Sequence, residues 1–164
     1  MELTTLTELL NIPGYKVTRI IQSTPARLHL LVEAINPGPP ICSGCGLPHN
    51  QSIHSIGKIT IQDLSLCCRL VFLQVTKRKV KCDQDRRIRV ETLDWIVGHF
   101  TKRFAEEILR LTTVTSYRAA GWYLGLDDET IHRTERRKKA GTRHKEMEQS
   151  IMNADINPRK GRRV

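Results

Sequence analysis

The sequence is poor in aromatic residues and in negative charge. Phe, Trp and Tyr make up only 5% of the 164 residues, so any folded core has to be built from Leu, Ile and Val. The 17 Asp and Glu residues are outnumbered by 27 Lys and Arg, which leaves a formal net charge of +10. This excess of positive charge favours a polyanionic partner, either a nucleic acid or an acidic membrane surface.

Long hydrophobic runs are also missing. No apolar stretch approaches the roughly 18 residues that a membrane-spanning helix requires, and the N-terminus lacks the pattern of a secretion signal. We therefore expect a cytoplasmic protein without a membrane partner. In that compartment cysteines are usually reduced thiols or metal ligands and rarely form disulfides. The chain has five, namely Cys42, Cys45, Cys67, Cys68 and Cys82.

The hydrophobic period changes along the chain and divides it into four segments. Residues 1–14 predict a short helix, residues 15–90 a β-rich module, residues 91–139 a helical module, and residues 140–164 a weakly ordered basic tail. The predicted strands cover Lys16–Gln22, Arg27–Ala34, Lys58–Asp63 and Arg69–Lys81, and the helical period begins at Leu93. The predicted fold class is α+β, with a zinc-ribbon-like module before a helix-turn-helix module.

One pair of cysteines has the spacing of half a zinc site. Cys42-x-x-Cys45 places two thiolates on a tight turn, where both can reach one tetrahedral Zn²⁺. Cys82 follows a basic strand, and Asp85 stands where a second C-x-x-C pair would end. The predicted metal ligands are Cys42, Cys45, Cys82 and Asp85, with His49 or His54 as alternatives to the aspartate.

Other interpretations of the cysteines remain open. In one of them, Cys42 and Cys45 are reduced turn residues without metal, and Cys82 is a small buried apolar residue. In another, Cys42 and Cys45 form a redox motif, although no thioredoxin-like βαβ pattern surrounds them. Cys67 and Cys68 are interpreted as packing or turn residues. Adjacent residues of a strand point to opposite faces and do not readily share one metal.

Residues 115–137 have the pattern of a helix-turn-helix. Ala120 and Gly121 are small residues where a second helix would cross, Gly125 suits the turn, and Ile131 faces inward from a helix that begins near Asp127. An ordinary helical hairpin with a solvated charged face is the alternative.

The second helix of this pattern carries a basic face that suits the major groove of double-stranded DNA. We expect Thr130 and Arg133 to contact base edges and residues 136–139 to contact phosphates. The predicted DNA-binding residues, including those of the basic strand, are Lys77, Arg78, Lys79, Lys81, Thr130, His132, Arg133, Arg136 and Arg137. No nucleophile motif or glycine-rich phosphate loop occurs in the sequence, so no catalytic residue and no small-molecule substrate are predicted.

The order of these features resembles the N-terminal half of bacterial insertion-sequence transposases of the ISL-three family. The resemblance rests on Cys42-x-x-Cys45-Gly46, on Asp63-Leu64 and on the basic strand that leads into Cys82. It implies a zinc-finger-like module and a helix-turn-helix, followed by a ribonuclease-H-like catalytic domain that uses three carboxylates and divalent metal.

The chain departs from this family pattern in three places. Asp85 replaces the last zinc cysteine, and in the tail Ala154 stands at the first metal-binding Asp, with Asp155 at the following Glu. The chain stops at Val164 before the remaining carboxylates. We therefore expect a nucleoid-associated DNA-binding fragment that recognises terminal inverted repeats, without a catalytic metal or strand-transfer chemistry.

Two alternatives to that function stay open. One is an active transposase complemented by a separate catalytic chain, and the other is a nucleic-acid or protein adaptor built on the ribbon. The sequence does not decide whether the chain self-associates.

Overall fold

The computed structural model describes residues 2–49 and 53–137. The predicted tail at 140–164, with Ala154 and Asp155, and the predicted phosphate contacts Lys138 and Lys139 lie outside the described residues. The chain divides into two compact units, Met1–Glu106 and Glu107–Val164. This division falls within a helix, whereas the hydrophobic period of the sequence changes near residue 90.

The first unit is a mixed sheet with one short helix. Its elements are α1 (Leu3–Leu10), β1 (Tyr15–Ser23), β2 (Arg27–Ala34), β3 (Ile53–Leu66), β4 (Arg69–Lys81), β5 (Ile88–Val90), β6 (Ile96–Val97) and β7 (Phe100–Thr101). Three helices follow, α2 (Lys102–Val114), α3 (Tyr117–Leu124) and α4 over residues 128–137. The α+β prediction is confirmed. Within the described ranges, no helix is long and apolar enough to cross a membrane.

The prediction of helix from Leu93 onward is wrong for its first residues. Residues 96–101 form the two short strands β6 and β7, joined through Gly98 at a φ of 63°, and helix begins only at Lys102. The apolar spacing of this stretch suits a helix, but Phe100 pairs with Gln62 of β3, so tertiary pairing decides the conformation.

The sheet has the strand order β1-β2-β4-β3-β7-β6, and β5 pairs with β4. The pairs β1–β2 and β3–β4 are antiparallel hairpins, whereas β2 and β4 run parallel. The long β3–β4 hairpin therefore forms the centre of the unit, and it contributes to the apolar core at one end and leads into Cys82 at the other.

One face of the sheet carries the apolar core, which α1 covers. Leu28, Leu30 and Val32 of β2 stand beside Val71, Leu73 and Val75 of β4 in register. The buried cluster consists of Leu6, Leu10, Val17, Leu28, Leu30, Val32, Ile61, Val71, Leu73 and Val75. At roughly 25 cal/mol per Å² of apolar surface removed from water, this burial is the main stabilising contribution at this end of the hairpin.

A buried carboxylate joins four elements around the core. Asp63 of β3 is fully buried and forms an ion pair with Arg103 of α2, while Thr101 Oγ1 donates a hydrogen bond of 2.6 Å to Asp63 Oδ1. Arg103 also donates to the carbonyl of Leu10, at the end of α1. Asp63 therefore has an architectural role, since burying an unpaired carboxylate would be costly.

The β3–β4 hairpin turns on Cys67 and Cys68. Both residues have positive φ values, 49° and 60°, which is the backbone of a two-residue type I′ turn. Both thiols are exposed. Of the two roles proposed for them, packing or turn, the structure supports the turn.

The hairpin buries opposite faces at its two ends. Val71, Leu73 and Val75 point into the apolar core, and successive side chains of a strand alternate between faces. Val80 is also buried but lies on the other face, where it packs against Cys42 and other residues. Beyond Val75, the core face of β4 continues into lysines.

Candidate metal centre and nucleic-acid interface

Four potential ligands converge beside the far end of the hairpin. The Sγ atoms of Cys42, Cys45 and Cys82 and a ring nitrogen of His49 all lie within 4.8 Å of one another. Three of the four side chains are buried, and Cys45 is partly buried. Three thiolates and one imidazole form a Cys₃His donor set, which is typical of a closed, structural, tetrahedral zinc site. The residues fit zinc, and the prediction of a zinc cofactor is confirmed.

A short hairpin brings the first three ligands together. Ile41 and Pro48 form a β-bridge, and the backbone N–H of Cys42 donates to the carbonyl of Leu47 at 3.0 Å. Gly46 adopts a φ of 72°, and its N–H donates to the carbonyl of Cys42 at 2.9 Å. The chain then returns past its own start, and the N–H of His49 donates to the carbonyl of Pro40 at 3.0 Å. The imidazole therefore reaches the thiols from the same loop.

The turn between β4 and β5 delivers the last ligand. The N–H of Cys82 donates to the carbonyl of Arg87 at 2.8 Å, which fixes the turn. Cys42 bridges to Glu91, and the N–H of Ser43 donates to the carbonyl of Val90 at 3.2 Å. The two cysteine-bearing segments are thus connected through the backbone as well as through their side chains.

The surroundings of the cluster shift the pKa of three of its four side chains. The backbone N–H of Asp85 lowers the pKa of the Cys82 thiol, but burial and the hydrogen bonds with Cys45 and Cys42 outweigh it and leave that pKa raised. The backbone N–H of Cys45 lowers the pKa of the Cys42 thiol to about 7 by favouring the thiolate. Hydrogen bonds to the Cys45 and Asp83 side chains raise the pKa of His49 to about 9. The fold therefore favours the Cys42 thiolate, which is the form that binds a metal, whereas zinc binding to His49 has to displace a proton from the imidazole.

The fourth side chain of the cluster is His49, one of the two alternatives, and not Asp85. The carboxylate of Asp85 is turned to Arg89, whose Nη2 and Nε donate to Oδ2 at 2.5 and 3.2 Å, and Oδ1 accepts from the N–H of Arg87 at 3.0 Å. The Arg89 guanidinium lowers the pKa of Asp85 to about 2. His54 is exposed on β3, outside the cluster.

The basic strand β4 contains two kinds of predicted DNA-binding residue. Arg78 forms an ion pair with Glu91, which is only 3% exposed, at 2.7 Å, and Arg78 Nη1 donates to the carbonyl of Gly38 at 2.7 Å. Arg78 therefore connects β4 to the segment around the zinc site. Lys77 is half-buried, and burial lowers its pKa.

The other two predicted lysines of β4 face solvent. Lys79 and Lys81 are exposed and share one face of the strand, with Lys79 opposite Ser55 on one side and Val90 on the other. These two cations are the most exposed of the predicted DNA-binding residues of β4.

The α3–α4 pair of the second unit has close packing between its two helices. Gly121 is so near the turn that a Cβ there would lie 2.6 Å from the Leu126 carbonyl oxygen, and Ile131 is fully buried. Asp127 caps α4, because its Oδ1 accepts from the N–H of Thr130 at 2.7 Å. The small residue, the turn and the inward isoleucine occupy the positions expected from the sequence.

The predicted contact residues of α4 differ in what already engages them. Thr130 donates its hydroxyl to Asp127 Oδ2 at 2.7 Å, and the His132 ring lies 5.2 Å from the Tyr117 ring. Arg133 forms an exposed ion pair with Glu129 at 2.6 Å. Arg136 and Arg137 are exposed on the same helix. The basic character of α4 is therefore concentrated in its last described turn.

Two acidic residues near the metal centre were missed from the sequence. Asp83 accepts a hydrogen bond from the His49 ring, and Glu91 holds Arg78. The position of Asp83 directly after Cys82 gives a weak indication that it belongs to the metal centre. The sequence gives no such indication for Glu91, because its partner Arg78 lies thirteen residues earlier.

Residues 38–85 match a family model described as the zinc-finger of transposase IS204/IS1001/IS1096/IS1165. The match spans less than a third of the chain and contains all four side chains of the cluster. Comparisons with curated proteins and with solved structures found no match. The matched segment is thus similar to a transposase zinc finger, and its ligands come together in the fold.

Proposed function

We propose that this chain is a DNA-binding part of an insertion-sequence transposase, and that it recognises the terminal inverted repeats of its element. The observation that carries the proposal is the convergence of Cys42, Cys45, His49 and Cys82 within the segment that matches a transposase zinc finger. The positive charge of the chain supports a polyanionic partner, and among such partners duplex DNA suits a transposase module best.

Zinc has a structural role in this proposal. When bound, the ion supplies a cross-link between the loop at residues 42–49 and the turn after β4, and it contributes no reaction step. The cross-link orders the end of the hairpin from which Lys79 and Lys81 project. These lysines are proposed to contact phosphates, which positions the protein without reading sequence.

Sequence readout is assigned to α4, as the second helix of a helix-turn-helix. Arg133 is the proposed base contact. Its exposed pair with Glu129 is worth only about 0–1 kcal/mol, while a bidentate pair with guanine contributes about 1–3 kcal/mol of discrimination. Arg133 therefore gains free energy when its guanidinium leaves Glu129 and pairs with a base edge. Arg136 and Arg137 are proposed to contact the adjacent phosphates.

We further propose that this chain acts in the nucleoid and does not transfer DNA strands itself. The support comes from the sequence, where Ala154 stands at the position of the first metal-binding Asp of the resembled family. Two-metal phosphoryl transfer needs several carboxylates around ions about 3.5–4 Å apart. A cleavage assay with Mg²⁺ or Mn²⁺ tests this part, and cleavage that is lost in Asp155→Ala would contradict it.

Recognition is tested by measuring the affinity of the zinc-loaded chain for the flanking inverted repeats and for a scrambled duplex. We expect tighter binding to the repeats and a fall in log affinity with log salt of about 0.9 per neutralised phosphate. Arg133→Ala should reduce the preference for the repeats. Lys79→Ala should weaken both duplexes equally, while the matched control Lys16→Ala, an exposed lysine of β1, should leave both unchanged.

Two results would contradict the recognition proposal. One is equal affinity for the repeats and for the scrambled duplex. The other is tighter binding of RNA than of either DNA, which would favour an RNA adaptor.

A further inference from the structure

The imidazole of His49 lies between two side chains that hold its two nitrogens. Nε2 is 3.2 Å from Cys45 Sγ, on the side of the cluster, and Nδ1 is 2.9 Å from Asp83 Oδ2, on the opposite side of the ring. His49 is only 5% exposed, whereas Asp83 is 80% exposed. The ring is thus aimed into the metal centre, with a solvated carboxylate behind it.

This arrangement matters because a histidine can bind zinc only through a nitrogen that carries no proton. If Nε2 is the ligand atom, the remaining proton of the neutral ring sits on Nδ1 and needs an acceptor. Asp83 provides that acceptor at hydrogen-bond distance. A carboxylate in this position selects the tautomer, fixes the ring plane and raises the basicity of the ligand nitrogen.

We propose that Asp83 is a positioning residue of the zinc centre. Its carboxylate accepts the Nδ1 proton of His49 and holds Nε2 toward the metal. Since Asp83 stays hydrated, it provides this hydrogen bond with little desolvation cost.

The proposal also explains how a turn with one cysteine completes the site. The turn after β4 supplies Cys82 as a ligand and Asp83 as the residue that orients a ligand from the other loop. Asp85, the other acidic residue of this turn, is engaged by Arg89 instead. The two cysteine-bearing segments are therefore coupled by the metal and by the His49–Asp83 hydrogen bond.

The test measures zinc affinity of the full chain by competition with a chromophoric chelator. Asp83→Ala is expected to weaken zinc binding by about 10–100-fold, the usual effect of removing such a partner. Asp83→Glu, which retains a carboxylate, should recover part of the affinity. The matched control is Glu33→Ala, which removes the same charge from an exposed position on β2, away from the cluster, and should leave the affinity unchanged.

Two further measurements separate positioning from a general effect on the fold or on charge. The absorption spectrum of the Co²⁺-loaded Asp83→Ala chain should shift from that of the parent if the imidazole is reoriented. In a His49→Ala background, Asp83→Ala should cause no additional loss of zinc affinity, because the ring that it orients is gone.

The proposal would be overturned by unchanged affinity in Asp83→Ala, by equal losses in Asp83→Ala and Glu33→Ala, or by the same loss in the His49→Ala background. None of these measurements involves DNA. Their outcome is therefore independent of the proposed recognition of inverted repeats.

Discussion

The two ends of the β3–β4 hairpin are stabilised in different ways. At the end near its turn, ten buried apolar residues from α1 and four strands form a continuous core. At the other end the buried apolar cluster, as far as the described residues show it, consists of Cys42, Val80 and Cys82. Here the Cys₃His site and the Arg78–Glu91 ion pair supplement this core, which is too small to stabilise the end of the hairpin by burial alone.

This difference shows how one strand pair serves two purposes. Burial of apolar side chains and the Asp63–Arg103 ion pair together stabilise the apolar end, so this end does not depend on bound metal. The zinc end is conditional, because its cross-link exists only while the ligands are deprotonated and metal is available. The exposed lysines Lys79 and Lys81 lie at the conditional end.

The largest expected effect is that of zinc removal. A strong chelator, or Cys82→Ser, should unfold the segments 38–49 and 82–91 and leave the apolar end folded, since structural zinc contributes of order 10 kcal/mol in small zinc modules. Hydrogen exchange monitored by mass spectrometry should show lost protection in those segments and retained protection in β2 and the first half of β4. Uniform loss along the sheet would mean that the two ends form one cooperative block.

The next effect is that of a cavity in the apolar core. Leu73→Ala should lower the free energy of unfolding by about 2–5 kcal/mol, because Leu73 is fully buried at the centre of β4. Zinc affinity should stay at the parent value. Leu9→Ala is the control, since that leucine of α1 is 52% exposed, and urea unfolding with chelator titration measures both quantities.

A smaller effect is expected from the ion pair at the zinc end. Glu91→Gln leaves the Arg78 guanidinium with a neutral partner and should destabilise that end by about 1–3 kcal/mol. The apolar end should be unaffected, as judged by exchange of its amides. The exposed Glu33→Gln serves for comparison, and an equal effect there would show that net charge, not the pair, is responsible.

The smallest effect is expected where the two ends meet. Gly57 lies opposite Lys77, its φ is outside the left-handed range, and a Cβ at this position would find no neighbouring side chain or backbone of the described residues within 4 Å. Gly57→Thr should therefore raise the stability by up to about 1 kcal/mol through strand propensity and reduced freedom of the unfolded chain. Thermal unfolding would detect it, and destabilisation would mean that this position needs the flexibility of glycine.

Local pattern predicted much of the fold. The alternation of apolar residues predicted β2 and β4 with their observed bounds and β1 with bounds within one residue, because these strands bury one face of a sheet. β3 begins at Ile53, well before the predicted Lys58. The prediction missed these first residues because most of them are exposed and have no apolar alternation. The parallel pairing of β2 with β4 joins strands distant in sequence, so no local signal could reveal it.

Only part of the metal site could be predicted, because the sequence reveals local spacing but not contacts between distant segments. Cys42 and Cys45 are recognisable by their spacing, whereas the choice between His49 and Asp85 depends on how a loop folds back onto Pro40. Arg78 was predicted to contact phosphate, because its ion pair with Glu91, which lies in a different segment, could not be foreseen from the sequence. Spacing identifies ligands that share a turn, and it fails where the partners come from separate segments.

The left-handed turn at Cys67 and Cys68 has a practical consequence for work on the purified protein. Its two thiols are exposed while Cys42 and Cys82 are shielded, so alkylating reagents and air oxidation attack the hairpin tip first and can join two molecules covalently. Cys67→Asn with Cys68→Gly would install the residue pair preferred in such turns and abolish this reactivity. Every remaining thiol in that variant would belong to the metal centre, so thiol titration would then count its three cysteine ligands directly.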